Sequence, residues 1–201
     1  MRIPPLARVL LAMAAAQWCA CAQGHITVTV FDYVNAPHSE IAPAVETARR
    51  AFLAAGVESQ WLVCRPGDCQ TGRPANGLYL ELFLMPRLVT QLTGHAARHL
   101  AGYAMTGPFV PPRGYAFYDS ARTVADRTLR PMGVVLGCIL IHEAGHLLGL
   151  DHQRSGVMRE HVEAADMDNA LMGRAFNSEE KKELRREILL HSEAWERCAR
   201  H

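Results

Sequence analysis

The sequence predicts an α/β (α+β) domain, and three observations carry that prediction. Short runs rich in β-branched and aromatic residues have the length of strands. Longer segments place apolar residues at helical spacing. Their order, β-α-β-β-β-α followed by a turn region and a last helix, interleaves both kinds of element within one domain's worth of chain.

His25 to Val34 reads as the first strand. Ser39 to Ala55 is alanine-rich, with Ile41, Val45, Ala48 and Phe52 on one helical stripe, and Gly56 caps its end. Val57 to Cys64 is a second strand, followed by the turn Arg65-Pro66-Gly67-Asp68. Gly77 to Met85 is a third, largely buried strand. Leu100 to Met105 and Gly114 to Asp119 are two more, joined by a proline-rich loop from Pro108 to Pro112. Met132 to Leu148 is apolar for too long to be an ordinary strand and reads as a helix. Asn177 with Glu180 three residues on predicts the N-cap of a last helix reaching about Trp195.

Ahead of these elements lies a targeting segment. Arg2 and Arg8 form a basic start, Val9 to Ala16 a short apolar run, and Ala20-Cys21-Ala22 an A-x-A cleavage site. The run is too short to span a bilayer. Cleavage near Ala22 is the reading, over an uncleaved anchor or a lipidated cysteine, because Trp18 and Cys19 fit poorly before a lipidation site. The expected product is a secreted or periplasmic single domain, residues 23–201. Its 19 basic and 20 acidic side chains give no reason to invoke nucleic acid or an anionic membrane, and no later run is long and apolar enough to cross one. Four cysteines remain, Cys64, Cys69, Cys138 and Cys198, and an even number in an exported chain predicts disulfides. Cys64 and Cys69 bracket a turn and are the expected local pair, which leaves Cys138 with Cys198. Zinc-thiolate binding is the weaker alternative, since no C-x-x-C pair is present.

The chemistry concentrates in His142-Glu143-Ala144-Gly145-His146-Leu147-Leu148-Gly149-Leu150-Asp151-His152. His142 and His146 are four apart and project from nearly one helix face. Two neutral imidazoles so spaced can grip one zinc ion. Gly149 tolerates positive φ and lets the chain turn, bringing back His152 as a third ligand. Three protein ligands leave the fourth position of zinc open, as catalysis requires. Glu143, beside the first ligand, is placed as general base toward a zinc-activated water. Met158 follows in Ser155-Gly156-Val157-Met158. The remaining histidines, among them His95 and His99, lack ligand spacing tied to this motif and read as surface or loop residues.

This H-E-x-x-H-x-x-G-x-x-H motif with a later methionine resembles the signature of the metzincin clan of zinc endopeptidases. The resemblance covers nearly all of the chain after residue 22. It implies a zincin-like fold: a twisted mixed five-stranded sheet with an antiparallel edge strand, an active-site helix and a C-terminal helix. An upper subdomain would span about 23–152 and a lower one about 153–201. It implies one catalytic zinc on His142, His146 and His152, Glu143 as general base, and Met158 as the apolar floor of a Met-turn. The edge strand would be Leu100–Met105, where Gly102, Tyr103 and Ala104 bind a protein or peptide substrate in extended form. Glu160 stands where some metzincins carry a tyrosine and matrixins often carry proline, so the metal bears most of the oxyanion stabilisation. No pro-domain intervenes between the leader and the first strand, which argues against a cysteine switch. The chain looks like a minimal, bacterial-type secreted member, distantly matrixin-like. The expected activity is that of a zinc metalloendopeptidase. Two alternatives stay open: a non-proteolytic zinc-binding protein on the same scaffold, and a zinc hydrolase of a non-peptide amide or ester.

Overall fold

A computed structural model of the chain describes residues 25–67, 78–86, 101–107 and 110–198. The expectations for the leader, Cys69, His95, His99 and Leu100 fall outside these residues. The described chain runs β1 (His25–Asp32), α1 (His38–Ala54), β2 (Glu58–Cys64), β3 (Leu78–Met85), β4 (Gly102–Gly107), β5 (Val110–Phe117), α2 (Tyr118–Thr128), α3 (Met132–Leu147), α4 (Ala164–Leu171) and α5 (Ser178–Cys198).

The strands form a mixed sheet in the order β2-β1-β3-β5-β4. β1 pairs parallel with β2 and β3, and β3 pairs parallel with β5. β4 alone runs antiparallel, against β5, and occupies an edge. The mixed sheet and its antiparallel edge therefore agree with the sequence expectation.

Alternation along the strands decides which face is buried. Ile26, Val28 and Val30 of β1 and Leu80, Leu82 and Leu84 of β3 point into the core and are essentially inaccessible. α1 and α3 pack beside one another over this core. Their close approach depends on two glycines. A β-carbon at Gly133 would lie 2.8 Å from the Glu40 carbonyl, and one at Gly137 would lie 2.9 Å from that of Ala44. On the opposite face Phe31, Phe83 and Tyr115, cross-strand neighbours in register, stack with centroids 5.0 and 5.4 Å apart.

Two sequence expectations need correction here. The segment after Gly114 leaves the strand at Phe117, and Tyr118–Thr128 is helical. Its buried face consists of Tyr118, Ala121 and Ala125, mostly small side chains that give little apolar signal. Of the loop expected over Pro108–Pro112, Val110, Pro111 and Pro112 belong to β5 instead. Pairing of β5 with β3 begins only at Arg113, so the missing amide hydrogens of these prolines cost no bond in that ladder. The last helix starts as the sequence predicts. Asn177 Oδ1 accepts from the Glu179 and Glu180 amides, and Glu180 Oε2 accepts from the Asn177 amide at 2.6 Å. Among the described residues no helix is long and apolar enough to cross a membrane.

Candidate metal centre

α3 carries the first half of the site. It is buried along nearly all its length, and its last turns run beneath β4 and β5. His142 and His146 lie one turn apart on it, with ring centroids 4.5 Å apart. After Leu147 the chain leaves the helix through a Schellman turn. The Leu150 amide donates to the Gly145 carbonyl and the Gly149 amide to that of His146, both at 3.0 Å, while Gly149 sits at φ +83°. A left-handed residue is required there, and glycine adopts it without steric cost. The turn returns His152 to the other two histidines. His152 Nε2 lies 3.3 Å from His142 Nε2, which lies 2.9 Å from His146 Nε2.

The outer nitrogens fix the chemical state of this cluster. His142 Nδ1 lies 2.8 Å from the Val157 carbonyl, and His146 Nδ1 lies 2.7 Å from the Leu150 carbonyl. A carbonyl only accepts, so each Nδ1 carries the hydrogen and each neutral ring turns a lone pair inward through Nε2. Burial, the largest influence on both rings, lowers the pKa of His142 to about 4 and depresses that of His146. Inward lone pairs facing one another at 2.9 Å repel unless a cation lies among them. His142, His146 and His152 are thus a ligand set that could hold a metal ion. Their all-imidazole chemistry and contacts from the outer nitrogens to carbonyls fit zinc.

Glu143 is 3% exposed, and its Oε2 has no hydrogen-bond partner. Burial alone pushes its carboxyl up to about 8, and a divalent cation nearby would pull it back toward the carboxylate. The side chain fits beneath the sheet because β4 and β5 place glycines over it. A β-carbon at Gly102 would stand 2.1 Å from Glu143 Oε1, and one at Gly114 would stand 3.1 Å from Glu143 Cβ.

Met158 is fully buried under α3, and a β-carbon at Gly145 would meet its sulfur at 2.6 Å. Its loop closes through the Gln153 amide on the Met158 carbonyl at 2.8 Å. Asp166 holds the same loop from α4, accepting from the Gly156 amide at 3.0 Å and the Glu163 amide at 3.1 Å. Met158 therefore packs against the helix turn between His142 and His146.

These groups open into a cleft of about 460 Å³. Gly102, Tyr103 and Ala104 of β4 line it, as do Glu160 and His161 just after Met158. The sequence reading missed the contribution of α2, which adds Val124 and Arg127, and that of α4, which adds Met167. Recurrence of Tyr118, Ala121 and Ala125 at helical spacing was the available signal for α2. One site expectation fails: Cys138 is a free buried thiol, so the bridge to Cys198 does not form. It lies 1% exposed in the wall of the cleft, and α5, which carries residue 198, packs against β3. Burial drives its pKa up to about 12, leaving an inert thiol.

Neither a protein-family model nor the sequence of a curated protein matches this chain. The architecture is nevertheless that of a zincin-like fold, a mixed five-stranded sheet over an active-site-type helix bearing the histidines. Among solved structures it is similar to archaemetzincin from Methanopyrus kandleri, with a TM-score of 0.50 at 15% identity. The likeness covers 84% of this chain and 97% of that one, and at such identity it is a likeness of fold.

Proposed function

We propose that this protein is a zinc-dependent metalloendopeptidase of metzincin type, exported by its first 22 residues and folded as one domain over residues 23–201. The observation that carries this reading is the convergence of three inward Nε2 atoms beside a buried, unpartnered Glu143 carboxylate. When bound by His142, His146 and His152, one zinc ion would lower the pKa of an attacking water and polarise the scissile carbonyl. Glu143 takes a proton as the water attacks the carbonyl carbon and returns it to the departing amine. β4 offers an edge with no further strand beyond it among the described residues. An extended peptide would add there, using the backbone of Gly102, Tyr103 and Ala104, with the bond to be cut over Glu143. Export is supported by the leader pattern and by Cys64 being disulfide-bonded, with Cys69 proposed as its partner.

The test uses purified protein and a diverse peptide library, with and without a chelator, with cuts read by mass spectrometry. Glu143→Ala should lower hydrolysis at least ~10²-fold while zinc stays bound. His146→Ala should lose the metal. Near-wild-type, chelator-sensitive cleavage by the Glu143 variant would refute the assignment.

A further inference from the structure

Arg127 has no partner among the described residues, unlike other arginines near it. Arg122 donates to the Tyr118 hydroxyl at 2.8 Å, and Arg130 makes a two-pronged contact with Asp168 at 2.7 and 2.8 Å. Arg159 is held by Glu163 and Asp166. Arg127 stands on α2 one turn after Val124, and both line the cleft that holds the histidines. The cleft it lines is largely apolar on this side of the chain, with Val124, Val135, Ile139, Val162 and Met167 in the same lining. Asp151 and Glu160, the other charged lining groups apart from Glu143 and the histidines, belong to the chain after α3, and no ion pair joins either to Arg127. An apolar recess beside an unengaged guanidinium favours a ligand with a hydrocarbon stem and an anionic head. A guanidinium can hold a carboxylate through two parallel hydrogen bonds.

We infer that Arg127 forms a specificity subsite for a substrate carboxylate presented on an apolar stem. This rests on the peptidase reading for the identity of the substrate as a peptide. The carboxylate could come from a glutamate side chain or from the α-carboxylate of the last residue. An exposed arginine is screened by solvent, so the preference should be moderate, roughly five- to tenfold in kcat/KM.

The test compares synthetic peptides carrying Glu, Gln or Leu at each position around the cut, each made as free acid and as C-terminal amide. A Glu-over-Gln preference assigns the side chain, and a free-acid-over-amide preference assigns the chain end. In either case Arg127→Gln should collapse the ratio to about 1, whereas Arg122→Gln, on the same helix, should keep it. Added salt should shrink the wild-type ratio. Equal turnover across the series, or a ratio that survives Arg127→Gln, overturns the subsite and leaves the peptidase reading standing. Fluorescence anisotropy with labelled peptides on zinc-loaded Glu143→Ala protein gives a readout without turnover. If wild type cleaves nothing yet anionic peptides bind in an Arg127-dependent way, the subsite stands and the peptidase reading falls. Absence of both cleavage and Arg127-dependent binding overturns both.

Discussion

Gly102→Ala adds one methyl group at the point where the sheet presses on Glu143. The new β-carbon would fall 2.1 Å from Oε1, 2.6 Å from Cδ and 2.9 Å from Cγ of that side chain. Restoring even a 3.0 Å separation moves the carboxylate by at least about 0.9 Å. Gly102 is not in the left-handed region, so alanine suits its backbone and the strand has no reason to unravel. The histidines turn their nitrogens inward from α3 and the turn after it, so metal binding should persist. A displacement of about 1 Å at a reacting group costs on the order of 10²-fold in rate. The expected result is a kcat lowered about 100-fold on a peptide substrate, with zinc content and thermal midpoint near wild type. The assay is steady-state kinetics together with metal analysis and a melting curve on the same preparation. A kcat within threefold of wild type in folded, zinc-loaded protein would refute the reasoning, since Glu143 would then tolerate a shift that a general base should not.

Other outcomes follow from the same geometry. Gly145→Ala should destabilise the protein by about 1–3 kcal/mol by driving a methyl into the Met158 sulfur, and Met158→Ala in the same chain should recover part of that loss; denaturant unfolding of both single variants and the double variant measures the coupling. Asp166→Ala should cost roughly 2–3 kcal/mol, because it strips the Gly156 and Glu163 amides of a buried acceptor and breaks the capping box of α4, as urea titration would show. Leu129, 85% exposed at φ +55°, ends α2 in the left-handed region without being glycine, so Leu129→Gly should raise stability by about 0.5–1 kcal/mol in thermal unfolding. Dialysis against a chelator should lower the melting temperature, by the equivalent of about 4 kcal/mol if zinc had been present at ~1,000 times its Kd, and added zinc should restore it; the His146→Ala protein should respond to neither.

The parts of this molecule that were legible in its sequence are those where local chemistry decides the conformation. The spacing of His142 and His146, the glycine after Leu148 and the Asn177–Glu180 cap each declare a backbone geometry, and each is found. The resemblance to metzincins, not local chemistry, placed the edge strand at Leu100–Met105, within a few residues of β4, with Gly102, Tyr103 and Ala104 at the cleft. What escaped were contacts set by tertiary packing. α2 buries alanines, whose weak apolar signal hid both the helix and the arginine it presents to the cleft. Counting cysteines could not reveal that Cys138 faces the cleft wall while residue 198 rides on a helix packed against β3. Nor could spacing show that Gly102 lies over Glu143, because that meeting joins residues 41 positions apart in the chain.

Both outward nitrogens of the helical histidines rest on main-chain oxygens, those of Leu150 and Val157. Many sites use a carboxylate for this task, and a single base change can delete a carboxylate. Here no replacement of the residue at 150 or 157 can delete the acceptor itself. The orientation of the rings is instead stored in the length and path of the chain between Gly149 and Met158. Apart from the ligand His152 and the left-handed Gly149 and Gly156, drift in side-chain identity should therefore be tolerated across this stretch, provided its apolar positions stay filled. Insertion or loss of a single residue there should be far more damaging, because it shifts a carbonyl out of reach of its imidazole. A designer wishing to retune the centre would gain little from point substitutions beneath the ligands and more from grafting whole loops of altered length.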